Sequence, residues 1–222
     1  MGTLWPMSRR LQGAVVAVVG TGGLGKALTE ALVERGASVV VAGRSGPVDV
    51  VIDLTDADAG VALVECALTR FGRLDGVVIA SGVVAFGDLD STDDTVIEEL
   101  LLTNALGPLW LAKRVLPALL ETRGFIVNLS GVVAANPAPG LVAYSASKAA
   151  AAAGFQALGK ELRRAGVFVC DAQPPHTETG LATRPIAGTT PRFARGLDPR
   201  VVADRIVTAI ESEQAVVAAT DF

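Results

Sequence analysis

The apolar residues of this chain gather into short blocks separated by longer, helically patterned stretches. Mostly apolar runs of four to eight residues stand at 14–19, 38–42, 48–52, 76–80, 125–129, 167–172 and 215–218. They are rich in valine and isoleucine and scarcely alternate with polar residues, the pattern of strands covered on both faces. Between them, residues 24–35, 57–71, 95–121, 142–165 and 199–212 carry apolar positions at helical spacing. Asp93 or Asp94 is placed to cap the third of these helices. Asp198 followed by Pro199 opens the last, because a missing N–H costs nothing in a first turn. Such alternation predicts an α/β fold: a Rossmann-type doubly wound parallel β-sheet of about seven strands, with right-handed crossovers and helices on both faces.

No linker or repeat divides the chain, so residues 1–222 read as one domain of this Rossmann type, with 1–12 as a short leader. Ser8-Arg9-Arg10 precedes an apolar run too short for an export signal, which needs roughly 7–15 apolar residues. No stretch approaches the ~20 apolar residues of a membrane span. The expectation is a cytoplasmic protein with no membrane partner. Two loops, 132–141 and 173–197, follow strands at the expected carboxyl edge of the sheet, where ligands bind in such folds. The longer one holds Pro174, Pro175, Pro185 and Pro191 and reads as a substrate loop, a lid or mobile segment.

Composition narrows the function classes. Half the residues are hydrophobic and 19% are charged, which supports a large core and excludes disorder. A formal net charge of −4, with no basic cluster, excludes a nucleic acid partner. Cys66 and Cys170 lack metal-ligand spacing, so no metal is expected and both read as buried, reduced thiols.

The first chemical signal is "VVGTGGLGKAL", residues 18–28. Gly20, Gly22 and Gly25 satisfy G-x-G-x-x-G, with Gly23 and Leu24 inside it, directly after a strand and before a helix. Glycines allow the tight turn and close approach of a pyrophosphate, and the helix N-terminus offers unpaired N–H groups to it. A turn that merely packs tightly is the alternative. The next strand ends in "VAGRS". Gly43 stands where an acidic residue would hold a ribose 2′-hydroxyl, and Arg44 follows. An arginine suits a 2′-phosphate, which favours NADP(H) over NAD(H), although a solvated surface arginine fits as well. Asp53 and Leu54, where the third strand ends, border the expected adenine site; a turn role suits Asp53 equally.

The second signal is "AYSASKAA", residues 143–150, with the only tyrosine, Tyr144, and one of four lysines, Lys148. Positions i and i+4 share a helix face. A phenol near pKa 10 is a poor proton donor at neutral pH; a nearby ammonium lowers that pKa toward the working range. An exposed Tyr–Lys pair of no consequence is the alternative.

"YSASK" after a glycine-rich turn, in this strand–helix order, resembles the short-chain dehydrogenase/reductase family, from about residue 11 to 218. "LTNALGPLWLAKRVLPAL" resembles the family's central helix, "GFIVNLSG" the strand leading to its catalytic serine, and "QPPHTET" its segment after the sixth strand. The resemblance implies a catalytic set of Tyr144, Lys148, Asn104 and a serine. Tyr144 would exchange a proton with the substrate oxygen. Lys148 would lower the tyrosine's pKa and hold the nicotinamide ribose. Asn104 would order a relay water, and Thr179 would bind the nicotinamide carboxamide. It also implies a homodimer or homotetramer built on the third and fourth long helices, where Ala149 to Ala153 and Gly154 would permit close approach.

Several positions depart from that pattern. The glycine turn is one residue short, with Val19 before Gly20. The usual Asn-Asn-Ala-Gly reads Ile79-Ala80-Ser81-Gly82, keeping only the final glycine, and Pro-Gly reads Pro174-Pro175. The serine position falls on Gly131, with Ser130 one place earlier, where a strand side chain would face the other way unless the strand ends or bulges. His176, the only histidine, or Thr177 could supply the lost hydrogen bond; a structural histidine is the alternative.

The expected function is hydride transfer between a nicotinamide and the carbonyl or secondary alcohol of a small molecule. Val83, Val84, Phe86, Leu141 and Leu181 suggest an apolar substrate. The competing expectation is a dinucleotide-binding protein with little turnover, a redox sensor or scaffold subunit, since fold alone does not fix function.

Overall fold

The valine-rich blocks become one sheet in a computed structural model, which describes residues 9–222. Its strands are β1 (Val15–Val19), β2 (Ser38–Gly43), β3 (Val50–Val51), β4 (Gly76–Ile79), β5 (Phe125–Leu129), β6 (Phe168–Ala172) and β7 (Val216–Val217). Their order is β3-β2-β1-β4-β5-β6-β7, and every pairing is parallel. All residues of β1, β4 and β5 are buried, as uninterrupted apolar runs require.

Helices α1 (Gly23–Glu34) and α6 (Pro199–Glu211) cover one face, sealing Val16, Val18, Val127 and Cys170. Helices α2 (Ala59–Phe71), α4 (Gly107–Thr122) and α5 (Val142–Leu162) cover the other, against Ala17, Val77, Ile126 and Val169. Strand order reverses between β1 and β4, so a crevice opens at their carboxyl ends. Asp198 caps α6 by accepting Arg200 N–H at 2.7 Å. Among the described residues, no helix is long and apolar enough to cross a membrane, and no cluster of residues suits a metal ion.

The structure corrects several expectations. The third long helix is not continuous: α3 (Asp94–Leu101) and α4 are joined by a π-helical segment, Leu102–Leu106. Asp93 occupies the N-cap of α3 without a side-chain bond. The third strand shrinks to two residues, and just before it the exposed Asp49 carboxylate accepts Val41 N–H at 2.8 Å. Residues 1–8 of the expected leader lie outside the described residues. Residues 9–12 belong to the domain: Arg9 N–H donates to Glu211 O at 2.8 Å, its guanidinium pairs with Glu213 at 2.9 Å, and Leu11 is buried in the core. Cys66 is half-exposed rather than buried.

The 173–197 segment is hydrogen-bonded to the loop that follows β4. Ile186 N–H donates to Val84 O at 2.9 Å, and Phe86 N–H to Ala187 O at 3.0 Å. Glu178 and Leu197 tie its two ends together, and Gly87 N–H reaches Gly140 O at 2.9 Å, joining the second loop. Together these loops roof the crevice.

Candidate active site

A cleft of about 620 Å³ runs along the crevice, from the glycine turn to Tyr144 and the roof. Each glycine of the turn has its own reason. Gly20 adopts φ +123°, and a Cβ there would come within 2.8 Å of the Ala80 carbonyl carbon. A Cβ on Gly25 would strike the Gly20 carbonyl oxygen. Gly22 faces open space and caps α1 without a side chain. The first-turn N–H groups, on Gly23, Leu24 and Gly25, have no intrahelical partner; Gly23 and Leu24 line the cleft, and Gly25 is buried behind them. A Cβ on Gly23 would lie 2.8 Å from Thr179 Cα, so the roof rests directly on this turn. A pyrophosphate fits this cradle, which offers bare backbone, a helix N-terminus and room at Gly22.

Arg44 is exposed at the far end of the cleft. Asp53 lines the same end, but its Oδ1 accepts Thr55 N–H and Oγ1–H, each at 2.9 Å. That turn, more than the charge of nearby Arg44, holds its carboxyl below the usual range. Leu54 is buried beside them and packs on Gly107. The apolar lining expected from Val83, Val84, Phe86, Leu141 and Leu181 is in place.

Tyr144 and Lys148 share one wall of the cleft, one turn apart on α5. Lys148 is buried, and its Nζ donates to Leu129 O at 2.8 Å. Loss of water pushes its ammonium down to about 8, against an opposing pull from Asp171. Tyr144 is partly open to the cleft, yet its surroundings push the phenol up to about 12. Loss of water alone raises it, the opposite of the lowering expected from the i, i+4 spacing.

Asn104 lies behind the wall, on the π segment, 1% exposed. Its Oδ1 accepts Val83 N–H at 2.9 Å; its Nδ2 donates to Val83 O at 2.9 Å and Ser147 Oγ at 3.1 Å. Both amide hydrogens are spent, so the side chain has none left for a water. Gly82 separates these groups: a Cβ there would lie 3.0 Å from Asn104 Oδ1 and 3.2 Å from Lys148 Nζ.

The serine question resolves into two observations. Gly131 has φ +75° and ψ 165°, a conformation essentially reserved for glycine. Ser130 lies in the cleft wall but is 0% exposed, and its hydroxyl donates to Asp171 Oδ2 at 2.8 Å. It does not stand in for the hydroxyl missing at Gly131. Thr177 is also spent, donating to Pro175 O at 2.9 Å. His176 lines the cleft, stacked on Phe193 with centroids 4.8 Å apart and Nε2 3.7 Å from Glu178 Oε1. Thr179 lines it too, its N–H donating to Thr177 O at 2.7 Å.

Sequence reasoning missed the buried group behind Ser130. Asp171 also accepts Asn128 Nδ2–H at 2.8 Å and Gln173 Nε2–H at 3.0 Å. The available signal was one charged residue within the apolar run 167–172. Phe193 and Ile186, which complete the roof, had no periodic pattern to reveal them.

Comparison with known proteins adds four findings. The sequence profile of the family described as short chain dehydrogenase matches residues 14–187. An uncharacterized oxidoreductase of Staphylococcus saprophyticus is 29% identical over 221 residues, covering 90% of this chain and 92% of that protein. Ipsdienol dehydrogenase of Ips pini is 32% identical over 205 residues, 81% of each chain. Among solved structures, a short chain dehydrogenase from Burkholderia cenocepacia in complex with NADP superposes with a TM-score of 0.80 at 27% identity, covering 95% of this chain and 89% of that one.

Proposed function

Because the chain belongs to the short-chain dehydrogenase family, a family of nicotinamide-dinucleotide-dependent oxidoreductases, we propose that it is an NADP(H)-preferring reductase or dehydrogenase of a small apolar carbonyl or secondary alcohol. The observation that carries this reading is the position of Tyr144 and Lys148, in one wall of the cleft that begins at the glycine cradle.

Gly20, Gly22, Gly23, Leu24 and Gly25 would hold the pyrophosphate by backbone N–H groups, and Arg44 a 2′-phosphate. Asp53, Leu54 and Gly82 would border the adenosine and ribose, and Thr179 the carboxamide. The nicotinamide supplies the hydride chemistry; the chain positions the partners and handles the proton. In the reductive direction, Tyr144 gives its phenolic proton to the substrate oxygen as the carbonyl carbon gains the hydride. Lys148 steadies the phenolate left behind, which must then recover a proton from solvent. Lys148, as an ammonium one helical turn away, would favour the phenolate against the desolvation that raises the Tyr144 pKa to about 12. Asn104 acts as a positioning residue, pinning Val83 and Ser147 rather than handling a proton. The apolar roof excludes water from the reacting atoms.

A cytoplasmic site of action and a homodimer or homotetramer belong to the same proposal. Exposed Leu106 and Leu120, with Val142 at the start of α5, are consistent with helix-to-helix assembly.

One observation favours a second reading, a dinucleotide holder with little turnover: no hydroxyl stands at Gly131, and Ser130 is committed to Asp171. NADPH consumption against a panel of small ketones and quinones separates the two. Ketone-dependent oxidation is expected; tight NADPH binding with no oxidation of any panel member would replace the first reading with the second.

A further inference from the structure

Three charged side chains are buried among the described residues: Asp75, Lys148 and Asp171. Asp75 has its counter-ion in Arg73, at 2.6 and 2.8 Å. Neither Lys148 nor Asp171 has an ion pair within 4.0 Å. A buried charge without a partner is costly, so two opposite ones left unpaired side by side call for an explanation.

They meet around a single residue. Lys148 Nζ donates to the carbonyl of Leu129. The residues on either side of Leu129, Asn128 and Ser130, both donate to the Asp171 carboxylate. Gln173 supplies a third donor, so Asp171 acts only as an acceptor, the role of a carboxylate. Asn128 and Asp171 are register partners on β5 and β6. They stand two residues beyond Ile126 and Val169, which pack with Phe155 of α5, so they share that face and look toward the helix that carries Lys148.

Other charges are remote or neutralised. On α5 itself only Tyr144 joins Lys148 in the cleft wall. Asp94, Glu98 and Glu99 of α3 and Lys113 of α4 are exposed, and Arg114 is paired with Asp58. Cys170, beside Asp171, points to the opposite face, where Arg205 bonds Asp221 O and Gln214.

We propose that Asp171 is a positioning residue whose charge, acting across the Leu129 peptide, keeps the buried Lys148 side chain an ammonium beside Tyr144. This rests on the reading of Tyr144 and Lys148 as the proton-handling pair. It also assigns Ser130 and Asn128: they hold the carboxylate that serves the lysine. The pull of Asp171 on Lys148 against desolvation accords with this.

The test exploits the chain's four lysines. With ¹³C-labelled lysine, each side chain gives one resolvable ε-carbon titration, and Lys148 is assigned by Lys148→Met. In Asp171→Asn the Lys148 midpoint is expected to fall by about one unit from its wild-type value. The alkaline limb of kcat/KM should move the same way. A Lys148 midpoint displaced by less than half a unit in the folded variant overturns the proposal. Should Asp171→Asn not fold, Asp171→Ala combined with Ser130→Ala removes the charge and one stranded donor together, and the same shift is required of it. The titration needs no turnover. An absent ketone reduction would therefore sink the proposed reaction, while an unmoved midpoint in an active enzyme would sink this inference alone.

Discussion

Asn104 grips both backbone groups of Val83, accepting its N–H and donating to its carbonyl, each at 2.9 Å. The grip exists because the helix swells into a π segment at Leu102–Leu106, which delivers Asn104 to the end of β4. Replacing Asn104 by alanine strands Val83 N–H and O and takes one donor from Ser147 Oγ, whose own proton still goes to Tyr144 O. Urea unfolding should show a loss of about 2 kcal/mol. With Val83 loosened at the cleft, kcat should fall more than KM rises.

Gly131→Ser tests whether the missing hydroxyl can simply be restored. At φ +75° and ψ 165° any L side chain is strained, by about 1–3 kcal/mol. The variant should unfold at lower denaturant concentration and gain no activity. A faster, equally stable variant would mean that the backbone at Gly131 differs from the one described.

These two residues show where the sequence was legible and where it stopped. The parallel sheet followed from apolar blocks that do not alternate, because both faces of β1, β4 and β5 are covered. The glycine cradle and the Tyr144–Lys148 face were local, and local spacing revealed them. The π segment was invisible, since its residues keep helical propensity and only tertiary bonds to Val83 and Ser147 select the wider turn. Asp171 was missed for a similar reason: its meaning lies in three donors from two other segments. The lowered Tyr144 pKa was misjudged because spacing reports the nearby cation and says nothing of desolvation.

On the proposed reading, Arg44 holds the 2′-phosphate and so sets cofactor preference. Arg44→Ala should weaken NADPH binding by roughly tenfold or more, the worth of a charged hydrogen bond to phosphate, while NADH binding changes less than twofold. Fluorescence titration with both cofactors reads this directly; equal losses for both would remove Arg44 from the 2′-phosphate.

Lys148 leaves a signature in stability. Its folded-state pKa, about 8, lies below its ordinary value of 10.5. Between those values the unfolded chain binds more protons, so the lysine's contribution to stability rises with pH. Below pH 8 burying the ammonium carries its full cost. Lys148→Met should therefore be more stable than wild type at pH 7, and the advantage should shrink between pH 8 and 10.5. Denaturant unfolding of both proteins at pH 7 and 10 measures it.

The proton donor itself is tested most directly by Tyr144→Phe, which removes one oxygen from the cleft wall and leaves the glycine cradle untouched. NADPH affinity is expected to stay within about threefold of wild type, while ketone-dependent NADPH oxidation falls by roughly 10²–10⁴, the usual worth of a general acid. Turnover of the same ketone within tenfold of wild type would contradict Tyr144 as the group that delivers the proton.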